Sequence, residues 1–187
     1  QTAVEAAVKL HPQIIDRLDD ISKIVLSTHE SAIRIISKTG ALNNPADRDH
    51  CLQYMTAIGL LKGNLVAEDY EENVANDPRV DMLRDLMSVE EDERYSREYH
   101  ETDKRSIANA IQIHFKDGST TEKVEVEYPI GHKFRRAEGM PLLQEKFKEN
   151  LAVRFPANQV NAVLQMCNDS EAFDNTPVQD FMDALVI

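Results

Sequence analysis

Tryptophan is missing from this sequence, cysteine occurs twice, and no stretch approaches the roughly 18 consecutive apolar residues that a membrane-spanning helix requires. Cys51 and Cys167 are too few for a disulfide framework and lack metal-ligand spacing, so two buried thiols in a reducing compartment are the simplest expectation. Basic side chains are scarce as well. Against 33 Asp and Glu there are 21 Lys and Arg, a formal net charge of −12 that repels phosphate backbones and anionic lipid surfaces alike. Neither nucleic acid nor a membrane is an expected partner. Internal repeats and low-complexity segments are also lacking. What remains, 42% hydrophobic and 29% charged over 187 residues, is enough for one ordinary domain or slightly more, with a core that needs neither disulfide nor metal.

The opening QTAVEAAVKL has no methionine and no targeting pattern, and it starts inside an apolar repeat, Ala3, Val4, Ala7 and Val8, that reads as helix. The expectation is a piece of a longer protein. At the other end, NTPVQDFMDALVI reads as a natural terminus, a helix with Thr176 as cap, Pro177 at its first position and Gln179 three residues after the cap.

Between these ends the chain reads as α+β. ISKIVLST, residues 21–28, is a strand, and HESAIRII after it is open between more strand and a helix. Asn44 and Pro45 start a helix that runs to Gly63, and VAEDYEENV and DPRVDMLRDLM are two shorter helices. SVEEDERY reads as a weak strand in an acid-rich solvated stretch from Glu90 to Glu101. Ile111, Ile113 and Phe115 alternate with polar residues, as do Val124, Val126 and Tyr128, with Asp117 and Gly118 suited to the hairpin turn between them. Such period-two faces imply a small sheet, antiparallel or mixed, wet on one side and packed by helices on the other, hence two layers. The last third is three helices with core stripes such as Met140, Leu143, Phe147 and Leu151.

Two groups of residues carry chemistry. On one helix from Pro45, His50 and Tyr54 are four apart and stack on one face, with Asp47 a turn earlier. An imidazole that titrates near neutrality beside a phenol suits general acid or base work, although spacing alone favours a surface pair with no catalytic part. Cys51, Met55 and Ile58 are plain core, with no local base that would activate the thiol. The second group is YPIGHKFRRAEG, which sets His132, Lys133, Arg135 and Arg136 as a positive island in an acidic chain. Guanidinium groups grip carboxylates bidentately, yet charge alone favours pairing with acidic patches of the protein itself. His11, His29, His100 and His114 stand singly, without metal-ligand spacing.

NNPADRDHCLQYM, LVAEDYEENVANDPRVDMLRDLM, DKRSIANAIQIHFKDGSTTEKVEVEYPIGHKFRR and the ending PVQDFMDALVI together resemble the C-terminal part of the MmgE/PrpD family. The resemblance covers essentially the whole chain, and YPIGH with its basic run is similar to the branch that acts on 2-methylcitrate. It implies a large all-helical domain outside this sequence and a smaller α+β domain within it. Residues 1–20 would continue from the helical domain, 21–135 would form the α+β domain and 136–187 its C-terminal helices. The implied reaction removes water from 2-methylcitrate, a small tricarboxylate, to give 2-methyl-cis-aconitate in propionate breakdown, by homodimers without a cofactor, metal or iron–sulfur cluster. A cytoplasmic location is implied, or the mitochondrial matrix in a eukaryote. Tyr54 and His50 would be catalytic, facing the cleft beside the helical domain, and Arg135 and Arg136 would bind substrate. A non-catalytic module for anion binding, dimerisation or another interaction is the alternative.

Overall fold

Ile24 pairs with Ile113 and Leu26 with Ile111 in the computed structural model, which describes residues 1–186. The chain forms two units, 1–129 and 130 onward. In the first, strands β1 (Ile21–Thr28), β2 (Met87–Glu91), β3 (Asn109–Phe115) and β4 (Val124–Val126) form one sheet in the order β2-β1-β3-β4. β2 runs parallel to β1 and the other pairs are antiparallel, so the sheet is mixed. Directly opposed residues share a face, and Ile24, Leu26, Ile111 and Ile113 are all fully buried there. The register shifts between Ile21 and Lys23, which pair with Phe115 and His114. That bulge inserts one residue and returns Ile21 to the core face, which strict alternation would deny it. Gln112 and His114 on the other face are half-exposed, whereas Ala110 is covered by Tyr95 of helix α7 (Glu93–His100).

Helix α1 (Thr2–Ile14) packs across β3 and β4, and α4 (Leu52–Lys62) packs on α1. Ala3, Ala6, Ala7, Leu10 and Ile14 belong to the same buried cluster as the sheet. Of residues 1–20, expected to continue a separate helical domain, α1 therefore belongs to this unit's own core, while residues 15–20 bury no side chain fully. The other expected boundary, after residue 135, falls six residues earlier.

The helix expected from Pro45 to Gly63 is broken. α3 (Pro45–Asp49) is capped by Asn44, whose side chain accepts from the Asp47 amide, and His50 (φ −110°, ψ 24°) and Cys51 (φ −119°, ψ 109°) then leave helical geometry. Helix α4 restarts at Leu52 and is buried on nearly every side, so no single apolar stripe announces it. Of the open segments, Glu30–Ile36 is helix α2, with His29 as its cap. The VAEDYEENV segment gives a short 3₁₀ turn and α5 (Glu72–Ala75), and α6 (Pro78–Asp85) follows under the Asp77 cap. The acid-rich stretch after residue 90 ends β2 and then turns helical as α7.

The second unit is helical: α8 (Arg136–Ala152), α9 (Ala157–Asn168), α10 (Ser170–Asp174) and α11 (Val178–Asp183). Its buried centre is Leu151, Val160 and Val163. Of the expected α8 stripe only Leu151 is buried. Met140, Leu143 and Phe147 are exposed, because α9 meets the C-terminal half of α8 and leaves this apolar row uncovered among the described residues. Nor does Thr176 cap the last helix. Its hydroxyl donates back to the Ala172 carbonyl (2.8 Å), and Pro177 precedes the first helical residue.

Candidate functional site: a pocket around Tyr54

Tyr54 lies in the first turns of α4 with 2% of its surface exposed, and its hydroxyl donates to the Asp69 carbonyl at 2.6 Å. Burial pushes the phenol up to about 12, with neighbouring Arg48 the first of the charges that oppose the rise. It is therefore a neutral hydroxyl near pH 7, and its proton is committed to a main-chain acceptor. The Asp69 side chain is itself fully buried, held by Lys62 and by the Val66 amide (2.8 Å), so the segment that carries this acceptor is fixed.

The ring lines a cavity of about 170 Å³ whose other walls come from Ala41 and Leu42, from Arg48, from Glu72, Ala75 and Asn76, and from Asp81 and Arg84. Two guanidinium groups dominate it. Arg48, 3% exposed, donates to the Tyr70 carbonyl (2.7 Å) and to Glu72 (2.6 Å). Arg84, 9% exposed, donates to the Gly40 carbonyl (2.8 Å) and to Asp81. The Nε atoms of both arginines are buried without an acceptor. A buried cation with an unused N–H is costly, which marks this wall as polar by construction. The space suits several waters or one end of a small organic acid.

His50 is not brought to Tyr54 in the way one helix face would bring it. It sits at the break between α3 and α4, 63% exposed, with Nδ1 against the Asp49 carboxylate, and it does not line the pocket. The break is set by Arg48, whose buried side chain ties α3 to residues 70 and 72, and by Cys51, whose thiol turns to the Lys38 carbonyl (3.5 Å). Arg135 and Arg136 belong to the second unit, Tyr54 to the first. Arg135 grips Glu138 three residues on (2.8 Å), and Arg136 is exposed as the first residue of α8. Cys51 is buried and Cys167 only partly so. No group of three or more His, Cys, Asp or Glu is gathered in a way that could hold a metal among the described residues, and no helix there is long and apolar enough to cross a membrane.

Arg48 and Arg84 escape sequence reasoning because Arg48 stands between two acids in ADRDH and Arg84 beside one in MLRDL, and such patterns read as solvated surface.

The profile of the MmgE/PrpD C-terminal domain matches residues 1–170. The chain is similar to the 2-methylcitrate dehydratase of Escherichia coli (strain K12), with 50% identity over 190 aligned positions that cover 100% of this chain and 39% of that protein. The 2-methylcitrate dehydratase of Cupriavidus necator is 50% identical over the same shares. A mitochondrial 2-methylcitrate dehydratase of Yarrowia lipolytica is 48% identical, covering 100% of this chain and 36% of its own length. The chain thus spans well under half the length of these curated relatives.

Proposed function

Because the chain belongs to the MmgE/PrpD family, we propose that it is the C-terminal part of a 2-methylcitrate dehydratase, a hydro-lyase that converts 2-methylcitrate to 2-methyl-cis-aconitate. The observation that carries this reading is the 48 to 50% identity, over the whole chain, to bacterial and yeast proteins of that name. Dehydration of a hydroxy acid needs a base for a carbon-bound proton, an acid for the departing hydroxide and cations for the carboxylates. The pocket around Tyr54 supports a share in the last of these tasks, since its walls hold the buried guanidinium of Arg48 and the largely covered one of Arg84.

On this reading Tyr54 is a positioning residue. Its O–H holds the Asp69 carbonyl and thereby the segment that carries Tyr70 and Glu72. His50, exposed at the helix break, keeps a proton-transfer role only by reaching groups outside this chain. Of the basic pair, Arg136 is better suited than Arg135 to an incoming carboxylate, because Arg135 is engaged with Glu138. The proton-transfer groups then come from the remainder of the full-length protein. The reaction needs no added metal, so dialysis against a chelator should leave turnover unchanged, and recovery of a lost activity with iron or zinc would contradict this.

A homodimer in the cytoplasm, or in the matrix of a eukaryotic source, completes the proposal. The exposed Met140, Leu142 and Leu143 of α8 support an interface, as they would for a non-catalytic interaction module. Turnover separates these. Full-length protein carrying this sequence should convert 2-methylcitrate to an unsaturated acid, followed by ultraviolet absorbance, whereas the module reading predicts none.

A further inference from the structure

Two carboxylates already sit on the guanidinium groups of the Tyr54 pocket, and both are poorly anchored. Glu72, on Arg48, is 63% exposed, and Asp81, on Arg84, is 67% exposed. The arginines' other partners are of a different kind: the Tyr70 and Gly40 carbonyls belong to the main chain and hold each arginine independently of the acids. The arginines are thus fixed while the acids facing them are solvated side chains, one on a single-turn helix. Exposed ion pairs contribute little and exchange readily, whereas a buried guanidinium must keep an anionic or carbonyl partner. The Nε atom of each arginine is buried without an acceptor, so the carbonyl and carboxylate partners of the terminal N–H groups carry the whole task of compensating the cation.

We propose that Arg48 and Arg84 form a carboxylate subsite, and that Glu72 and Asp81 are placeholders which a carboxylate group of the ligand displaces. This rests on the reading above for the ligand's identity, a tricarboxylate, but not for the subsite's chemistry. Displacement releases two acids to water and gives the terminal guanidinium N–H groups that now hold Glu72 and Asp81 a planar two-oxygen partner. The 170 Å³ cavity admits one carboxylate arm rather than a whole tricarboxylate with its waters. The neutral Tyr54 ring forms the floor and adds no repelling charge.

A placeholder has an unusual signature, because removing it should strengthen binding. Calorimetric titration of the full-length protein with tricarballylate, an unreactive tricarboxylate, reads this directly. Glu72→Gln should tighten the Kd by about two- to fivefold, whereas Arg84→Gln should weaken it by at least about tenfold, the usual scale for a charge-assisted contact. If Arg84→Gln does not fold, Glu72→Gln, exposed and safe to change, decides alone. A Kd that rises or stays constant in Glu72→Gln overturns the placeholder, and a constant Kd in Arg84→Gln overturns the subsite. The arms also separate the two claims. Turnover of 2-methylcitrate with a flat mutational pattern keeps the dehydratase and removes the subsite. The opposed pattern without turnover keeps the subsite and removes the dehydratase. A wild type that neither binds nor turns over removes both.

Discussion

At the residue scale, two buried groups make opposite demands on protons. Tyr54 keeps its proton, and the proton has a fixed acceptor, so Tyr54→Phe removes one hydrogen bond and no charge. Losing a bond of this kind costs about 1 kcal/mol of stability, and in the full-length protein kcat should fall by less than about tenfold. A loss of at least ~100-fold with an unchanged melting temperature would instead make the phenol a proton donor in the reaction. His29 has to lose its proton. Its Nδ1 accepts from the Ala32 amide (3.2 Å) at the start of α2, which only a neutral ring can do, and the ring stacks on Tyr99 at 4.3 Å. Burial, and after it the neighbouring His100, hold its pKa below the ordinary 6.5. Between the lowered and the ordinary value the unfolded chain binds more protons, so the contribution of His29 is complete above pH 6.5 and is lost as pH falls below it. Thermal melts from neutral to mildly acid pH should show a smaller decline for His29→Asn, which keeps a capping side chain, than for the wild type. Equal declines would remove His29 from the acid response.

At the element scale, the close contact of α1 and α4 depends on Gly59. A Cβ there would lie 2.9 Å from the Cβ of Ala7 and 3.3 Å from the Val4 carbonyl oxygen, so the helices would have to separate. Alanine is the better helix former by roughly 1 kcal/mol, yet overpacking costs about 1–3 kcal/mol, and Gly59→Ala should lower the melting temperature. Ala7→Gly combined with Gly59→Ala removes one clash and should recover part of the loss. An unchanged or raised melting temperature in the single variant would contradict the packing. The stretch from Asn44 to Gly63 shows what sequence can and cannot convey. The cap of α3 at Asn44 and the stop of α4 at Gly63 are legible, because both are local chemistry. The break at His50 and Cys51 is not, because its causes are Arg48 reaching residues 70 and 72 and a thiol reaching residue 38. Likewise β1 and the 109–126 hairpin follow from alternation, whereas the bulge that turns Ile21 inward is visible only in the pairing with β3.

Across the whole molecule, an α+β unit with a mixed four-stranded sheet and a helical unit after it agree with the period-two and helical patterns read along the chain. The site was less legible. Tyr54 lies on a pocket, but His50 does not share it, and the arginines that line it, Arg48 and Arg84, look from the sequence like surface charge. Burial of a cation is a tertiary fact with no periodic trace. The α8 row of Met140, Leu143 and Phe147 errs in the other direction, apolar at core spacing yet exposed. Both cases follow from one cause, that spacing reports which residues share a face and not what lies against it. The dehydratase reading meets its most direct test in turnover. Full-length protein carrying this sequence, supplied with 2-methylcitrate, should release 2-methyl-cis-aconitate, identified by absorbance and mass. Pure, folded protein that leaves 2-methylcitrate unchanged would contradict it.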